Sequence, residues 1–265
     1  MKKIYAGLIG FGNIGTGVVK LLNMNRGLIE DRLGASIILK KIADIDIETP
    51  REVAVDRSIL TTEAADILGD PEISIVIELV GGYQPALSFI LEAVRAKKHV
   101  VTANKALLAT YGNEVFRAAE KEDVDIGFEA SVGGTIPVIK TLKEGLVANR
   151  IKSVLGIMNG TSNYILTKMS DEGQAFADVL KEAQRLGFAE ADPTFDIEGI
   201  DTAHKLAILL SLSYGRKVEI ESICREGVSG IAQKDIEFAK ELGYKIKLLA
   251  IARERGEEVE ARIHP

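Results

Sequence analysis

Asp201 and Lys205 stand four residues apart in a segment with helical periodicity, which sets both side chains on one helix face. A lysine held beside a carboxylate can donate a proton to a carbonyl oxygen while hydride reaches the carbon. By spacing alone the pair reads as a surface ion pair. Its setting argues for chemistry: the loop upstream supplies Glu190, Asp192 and Asp196, and the helix runs on into the apolar stretch 206–212. Carboxylates gathered around a lysine suit a substrate that carries an amino group. His204 falls between the pair but is rotated away on the helix, and it reads as structural.

Other segments carry polar groups at the ends of strand-like runs. Thr102, Asn104 and Lys105 follow the run 99–102, and ligands of parallel sheets bind beyond the carboxyl ends of strands. A lysine there can reach a cofactor or a substrate anion; by position alone it is equally a helix-start surface lysine. Asn159, Gly160 and Thr161 follow the run 151–158, where hydroxyls and backbone N–H groups can cap the next helix or hold a substrate carboxylate. The bend from Glu129 to Pro137 has carbonyls that could turn inward to a hard cation, although by its residues alone it reads as a domain-connecting turn.

The turn Gly10-Phe11-Gly12-Asn13-Ile14-Gly15 fits G-x-G-x-x-G between a strand-like run, 4–9, and a helical stretch, 16–33. In that context the first glycine permits the tight turn and the second lets backbone approach a pyrophosphate. The third allows the helix to pack on the strand, and the phosphates meet the helix N-terminus. A dinucleotide is expected. Asp44 closes the second strand-like run, 37–43, where a carboxylate can accept from the adenosine ribose, or stand simply as part of a solvated acidic turn. Asp46 and Glu48 oppose a 2′-phosphate, with Arg51 and Arg57 able to offset them if their loop folds back, so NAD is favoured over NADP. Val80 and Gly81, at the end of the run 74–80, join the expected cofactor positions.

These residues need an open parallel sheet to bring them to one edge. Runs at 4–9, 37–43, 74–80, 99–102 and 124–128 alternate with helical segments, including one opened by Pro85 and one around 115–121. Strands buried on both faces and linked through helices imply right-handed crossovers in a doubly wound α/β domain. Beyond about residue 130 the pattern changes. A helix is expected after Pro137, a strand at 151–158, helices at 164–169, 175–186 and 202–214, and a closing hairpin at 245–263 turning at 254–257.

The chain has 265 residues, enough for one large domain or two modest ones. With 46% apolar and 27% charged residues it is neither disordered nor fibrous. A net charge of −6 without a basic tract disfavours nucleic acid and anionic membrane as partners. No apolar run reaches the ~18 residues of a membrane-spanning helix. Glycines at 7, 10, 12 and 15 break the apolar stretch behind the N-terminal lysines, which is therefore not read as a signal sequence. The single cysteine, Cys224, excludes an internal disulfide and a cysteine-built metal site. A soluble protein of a reducing compartment, most simply the cytoplasm, is expected.

The segments GLIGFGNIG, TANKALL, EASVGGTIP, GIMNGTSNYI and GFAEADPTFDIEGIDTAHKLAIL, in that order and spanning essentially the whole chain, resemble homoserine dehydrogenase. The last two are the specific ones; the first is shared by many dehydrogenases. The resemblance implies reduction of L-aspartate 4-semialdehyde to L-homoserine with NADH or NADPH, on the route to threonine and methionine. It makes Lys205 the proton donor, Asp201 its partner, and Lys105 the lysine between cofactor and substrate. Glu190 and Asp196 would hold the substrate amino group. Carbonyls of Glu129, Val132, Gly134 and Ile136 would bind a sodium ion.

The expected architecture is a Rossmann-type dinucleotide-binding domain at 1–130 and an α+β substrate and dimerisation domain at 131–265, forming a homodimer. Family members continue past the equivalent of Ile263-His264-Pro265, so the chain is expected to be C-terminally truncated, with no regulatory amino-acid-binding domain. The rival expectations are another Rossmann-type amino-acid or sugar dehydrogenase, and a nucleotide-sensing protein that has lost catalysis.

Overall fold

The N-terminal apolar run forms β1 (Lys2–Ile9) in the computed structural model, which describes residues 1–216 and 218–265. The helical stretch expected over 16–33 is two helices, α1 (Asn13–Met24) and α2 (Arg26–Leu33), broken at Asn25. The break has a reason: α1 buries Gly15, Thr16 and Val19, whereas α2 buries no side chain and has no core face to align with α1.

There follow β2 (Ala35–Ala43), the two-residue strand β3 (Leu60–Thr61), α3 (Ala65–Leu68) and β4 (Ile73–Glu78). Next come α4 (Ala86–Arg95), β5 (His99–Thr102), α5 (Lys105–Glu122) and β6 (Ile126–Gly127). β3 was too short to leave a periodic signal. β4 stops at Glu78 rather than at residue 80 because the Val80 N–H turns back to the Glu78 carboxylate.

The six strands form one sheet in the order β3-β2-β1-β4-β5-β6, every pair parallel. This is the doubly wound order, whose reversal between β1 and β4 opens a crevice at the carboxyl ends of the strands. The register aligns Ala43, Ile9, Glu78 and Thr102 across that edge. Beneath it lies a cluster of Leu8, Phe11, Val19 and Ile42, flanked by Val53, Val55 and Ile59. The first compact unit ends at Ile136.

The second unit is Pro137–Pro265. Behind Pro137, α6 (Val138–Lys140) widens into a π-helical turn over Thr141–Gly145. The strand expected at 151–158 is the shorter β7 (Ser153–Gly156), the stretch in ladder register with Ala250–Arg253 of the following hairpin. The helices α7 (Gly160–Glu172), α8 (Phe176–Arg185), α9 (Thr194–Ile197) and α10 (Ile200–Tyr214) come next. After β8 (Cys224–Arg225) and α11 (Gln233–Glu241), the hairpin β9 (Leu249–Arg255) and β10 (Glu258–His264) closes the unit.

Its sheet runs β7-β9-β10-β8. Ala250, Ala252 and Ile263 face inward, and α10 packs against β9 with Leu206 and Leu210 fully buried. Alternation along β7 leaves Leu155 on the other face, 65% exposed. Among the described residues no helix is long and apolar enough to cross a membrane.

Candidate active site

In the first unit, the glycine turn is made by close approach of backbone. Gly10 has φ +100°, and a Cβ there would stand 2.6 Å from the carbonyl carbon of Leu79. A Cβ on Gly15 would stand 2.1 Å from the Gly10 carbonyl oxygen. Both positions therefore require glycine for the fold itself. Gly12 differs: it caps α1, and a Cβ there would meet open space, with no atom from beyond its chain neighbours within 4 Å. No side chain caps α1 either, so its first N–H groups point to the open side of the turn, an arrangement suited to a pyrophosphate. These residues fit a dinucleotide.

Asp44 braces this turn. Its Oδ2 accepts the Phe11 N–H at 2.5 Å and its Oδ1 the Asp46 N–H at 2.9 Å. The loop behind it does fold back. Arg51 lies over the Phe11 ring and donates Nε to the Phe11 carbonyl, Nη1 to that of Thr49 and Nη2 to that of Asp46. Only 17% of its side chain is exposed, which places a fixed positive charge beside the turn. Hydrogen bonds from Thr49 hold the Asp46 carboxyl below its ordinary range. Arg57 pairs instead with Glu48 at the surface.

Further along the edge, Thr102 and Asn104 are buried, and Asn104 caps α5 by accepting the Leu107 N–H. Lys105 is the first residue of that helix and is half-buried. Thr102 donates to Glu78, an acid that sequence reasoning passed over. A charged residue inside the run SIVIELV was the available signal. Around Glu129 the chain makes a short 3-10 turn, with the buried Ser131 hydroxyl donating to the Phe128 carbonyl and Gly134 at φ +62°. Val132 is half-buried, and Gly134 and Ile136 are exposed.

In the second unit, α10 delivers Asp201 and Lys205 as an ion pair in the interior. Asp201 is buried and Lys205 Nζ is 2.7 Å from its Oδ2, with 16% of the lysine side chain exposed. The same ammonium donates to the Met158 carbonyl at 2.7 Å. Asn159, the cap of α7, joins this pair to the acidic loop. Its Nδ2 donates to Asp196 Oδ1 at 2.7 Å and to Asp201 Oδ2 at 3.0 Å, while its Oδ1 accepts the Ser162 N–H. The Ser162 hydroxyl, wholly buried, holds the Asp196 carbonyl.

The fold thus gathers Asn159, Asp196, Asp201 and Lys205 from three separate stretches. Other members of the loop stand apart. Glu190 is exposed, and among the described residues its carboxylate makes no hydrogen bond or ion pair. Asp192, two residues before the start of α9, accepts the Thr194 N–H at 3.1 Å, and bonds from Thr194 lower its pKa. The Thr161 hydroxyl donates to the Phe188 carbonyl. His204 is buried with its ring 5.3 Å from that of Phe195, in keeping with a packing role.

Residues 10–129 match the family model described as the NAD binding domain of homoserine dehydrogenase, and residues 137–265 match the homoserine dehydrogenase model. The homoserine dehydrogenase of Bacillus subtilis (strain 168) is 46% identical over 265 residues, covering all of this chain and 61% of that protein. A solved homoserine dehydrogenase from Thiobacillus denitrificans is 49% identical, with a TM-score of 0.93, over 100% of this chain and 61% of its own. A putative homoserine dehydrogenase from Archaeoglobus fulgidus is 33% identical, with a TM-score of 0.84, over 99% of this chain and 84% of its own. The chain thus spans about three fifths of the length of the curated relatives it matches.

Proposed function

The chain belongs to the homoserine dehydrogenase family, and from that premise we propose that it interconverts L-aspartate 4-semialdehyde and L-homoserine with a nicotinamide cofactor. The observation that carries the reading is the buried Asp201–Lys205 pair tied by Asn159 to Asp196. Lys205 donates a proton to the aldehyde oxygen as the carbon is reduced, and Asp201 holds the ammonium in position. Asp196, gripped at Oδ1, offers Oδ2 to the substrate amino group, with Glu190 as a second acid. Asn159 acts by fixing both carboxylates, and backbone N–H groups of Gly160 and Thr161 at the start of α7 receive the substrate carboxylate. Lys105 serves between cofactor and substrate.

A bound nicotinamide cofactor supplies the hydride; the protein supplies orientation and the proton. Gly10 to Gly15 would hold the pyrophosphate, with Val80, Gly81, Thr102 and Asn104 along the same edge. Asp44 favours NAD over NADP, since its carboxylate stands beside the turn together with Asp46 and Glu48, while the fixed Arg51 opposes them and leaves room for dual use. Carbonyls of Glu129, Val132, Gly134 and Ile136 form an oxygen set suited to sodium. The outer face of the second sheet, with Leu155 at its edge strand, supports a homodimer. Exposed Cys224 suits a reducing compartment, and the proposal includes a cytoplasmic location.

Absorbance in the reduced-nicotinamide band, followed with homoserine and either NAD or NADP, tests the reading. Growth of the band with homoserine, faster with NAD, is the expected result. Binding of NADH without any turnover would overturn the activity, and faster reaction with NADP would overturn the preference.

A further inference from the structure

We infer that Glu78 is a positioning residue that locks the end of β4 to the cap of α5, and so sets the cofactor-facing edge; the inference rests on the dinucleotide reading above. Glu78 is fully buried at the last position of β4, in register with Ile9 and Thr102. A buried carboxylate is costly unless its oxygens are partnered. Both are: Oε1 accepts the Val80 N–H and Oε2 the Thr102 hydroxyl, each at 2.8 Å.

The connections continue until they return to their start. The Thr102 hydroxyl accepts the Asn104 N–H at 3.0 Å. Asn104 Nδ2 donates to the Gly82 carbonyl at 2.6 Å while its Oδ1 caps α5 through the Leu107 N–H. Gly82 is two residues from Val80, so Glu78, Thr102, Asn104 and the turn 80–82 form a closed ring. That turn contains two successive glycines at positive φ, +80° and +67°, with no side chains of their own to hold it. The ring supplies the missing constraint, and it fixes the backbone at Lys105, the residue directly after Asn104. An apolar side chain at 78 would fill the core without desolvating a charge, so packing alone does not account for the acid.

Thr102→Val and Thr102→Ser provide the test, since valine keeps the shape and suits a strand while serine keeps the hydroxyl. NADH affinity is read by fluorescence titration, and ring integrity by amide hydrogen exchange at Val80, Asn104 and Leu107. The valine variant is expected to weaken NADH binding about tenfold and to speed exchange at all three amides, with serine within about twofold of the parent chain. Faster exchange at Val80 and Leu107 is the telling part, because neither amide touches residue 102. Glu78→Gln, which turns one acceptor into a donor, should reproduce the pattern without removing any side chain from Thr102. Equal behaviour of valine and serine, or a change confined to Asn104, would overturn the ring. Failure of the parent chain to take up NADH would overturn the dinucleotide reading and the link to the cofactor, while exchange would still judge the ring by itself.

Discussion

Around Gly10, Gly12 and Gly15 the first unit builds its site from backbone, whereas around Lys205 the second builds its site from side chains that hold one another. The first works by leaving atoms out. Two glycines are demanded by clashes within the protein, and the third keeps the start of α1 open. The second works by joining charges to donors, since a buried carboxylate such as Asp201 persists only where donors reach it, here Asn159 Nδ2 and Lys205 Nζ at Oδ2. The contrast explains why one is written locally and the other is spread over residues 158–205.

The sharpest way to break the comparison is Lys205→Ala. Turnover should fall about 10²–10⁴-fold, the usual worth of a general acid, with NADH affinity changed less than about twofold. A loss of turnover under about tenfold in steady-state assays would remove Lys205 from the proton-donating role.

Next come the glycines, which separate fold from cofactor. Gly15→Ala forces a Cβ onto the Gly10 carbonyl and should cost about 1–3 kcal/mol in denaturant unfolding, with NADH binding lost as well. Gly12→Ala meets open space, so stability should stay within about 1 kcal/mol while NADH affinity falls at least tenfold. Equal stability losses in the two variants would mean that Gly12 serves the fold and not the ligand.

Asn159→Ala tests the side-chain network. Two carboxylates lose a donor and α7 loses its cap, for an expected loss of about 2 kcal/mol in stability and a rise in KM larger than the fall in kcat. A pure kcat effect would instead put Asn159 against the reacting atoms.

The smallest effect is expected at a buried lysine outside either site. Lys98 donates to the carbonyls of Asp70 and Ile73, and burial pushes its pKa below the ordinary 10.5. Because the unfolded chain binds this proton more tightly, stability from this group rises with pH between the lowered value and 10.5. Lys98→Met should cost about 1–2 kcal/mol, abolish that rise in unfolding titrations, and leave kcat unchanged.

The alternation of strands and helices in the first unit, the glycine turn and the i, i+4 lysine–carboxylate pair were legible in the sequence, because each is a relation between neighbours along the chain. Apolar runs ending in glycine announced β1 and β4. The break at Asn25 was not legible, since Leu28 and Ile29 continue the apolar pattern although α2 buries none of its side chains fully. The two-residue β3 was not either, being a strand only through its pairing with Ile42 and Ala43.

Within the site, tertiary structure decided the partners. Sequence placed Glu190 and Asp196 in one acidic loop; only the fold set Asp196 against Asn159 and left Glu190 exposed. Sequence offered Asp44 to a ribose; the fold turned its carboxylate to the Phe11 N–H and brought Arg51 across forty residues to lie on the same turn. The reason is physical. Period and spacing fix which face a side chain takes, but a buried charge goes where donors from distant strands converge, and that convergence exists only once the sheet has formed.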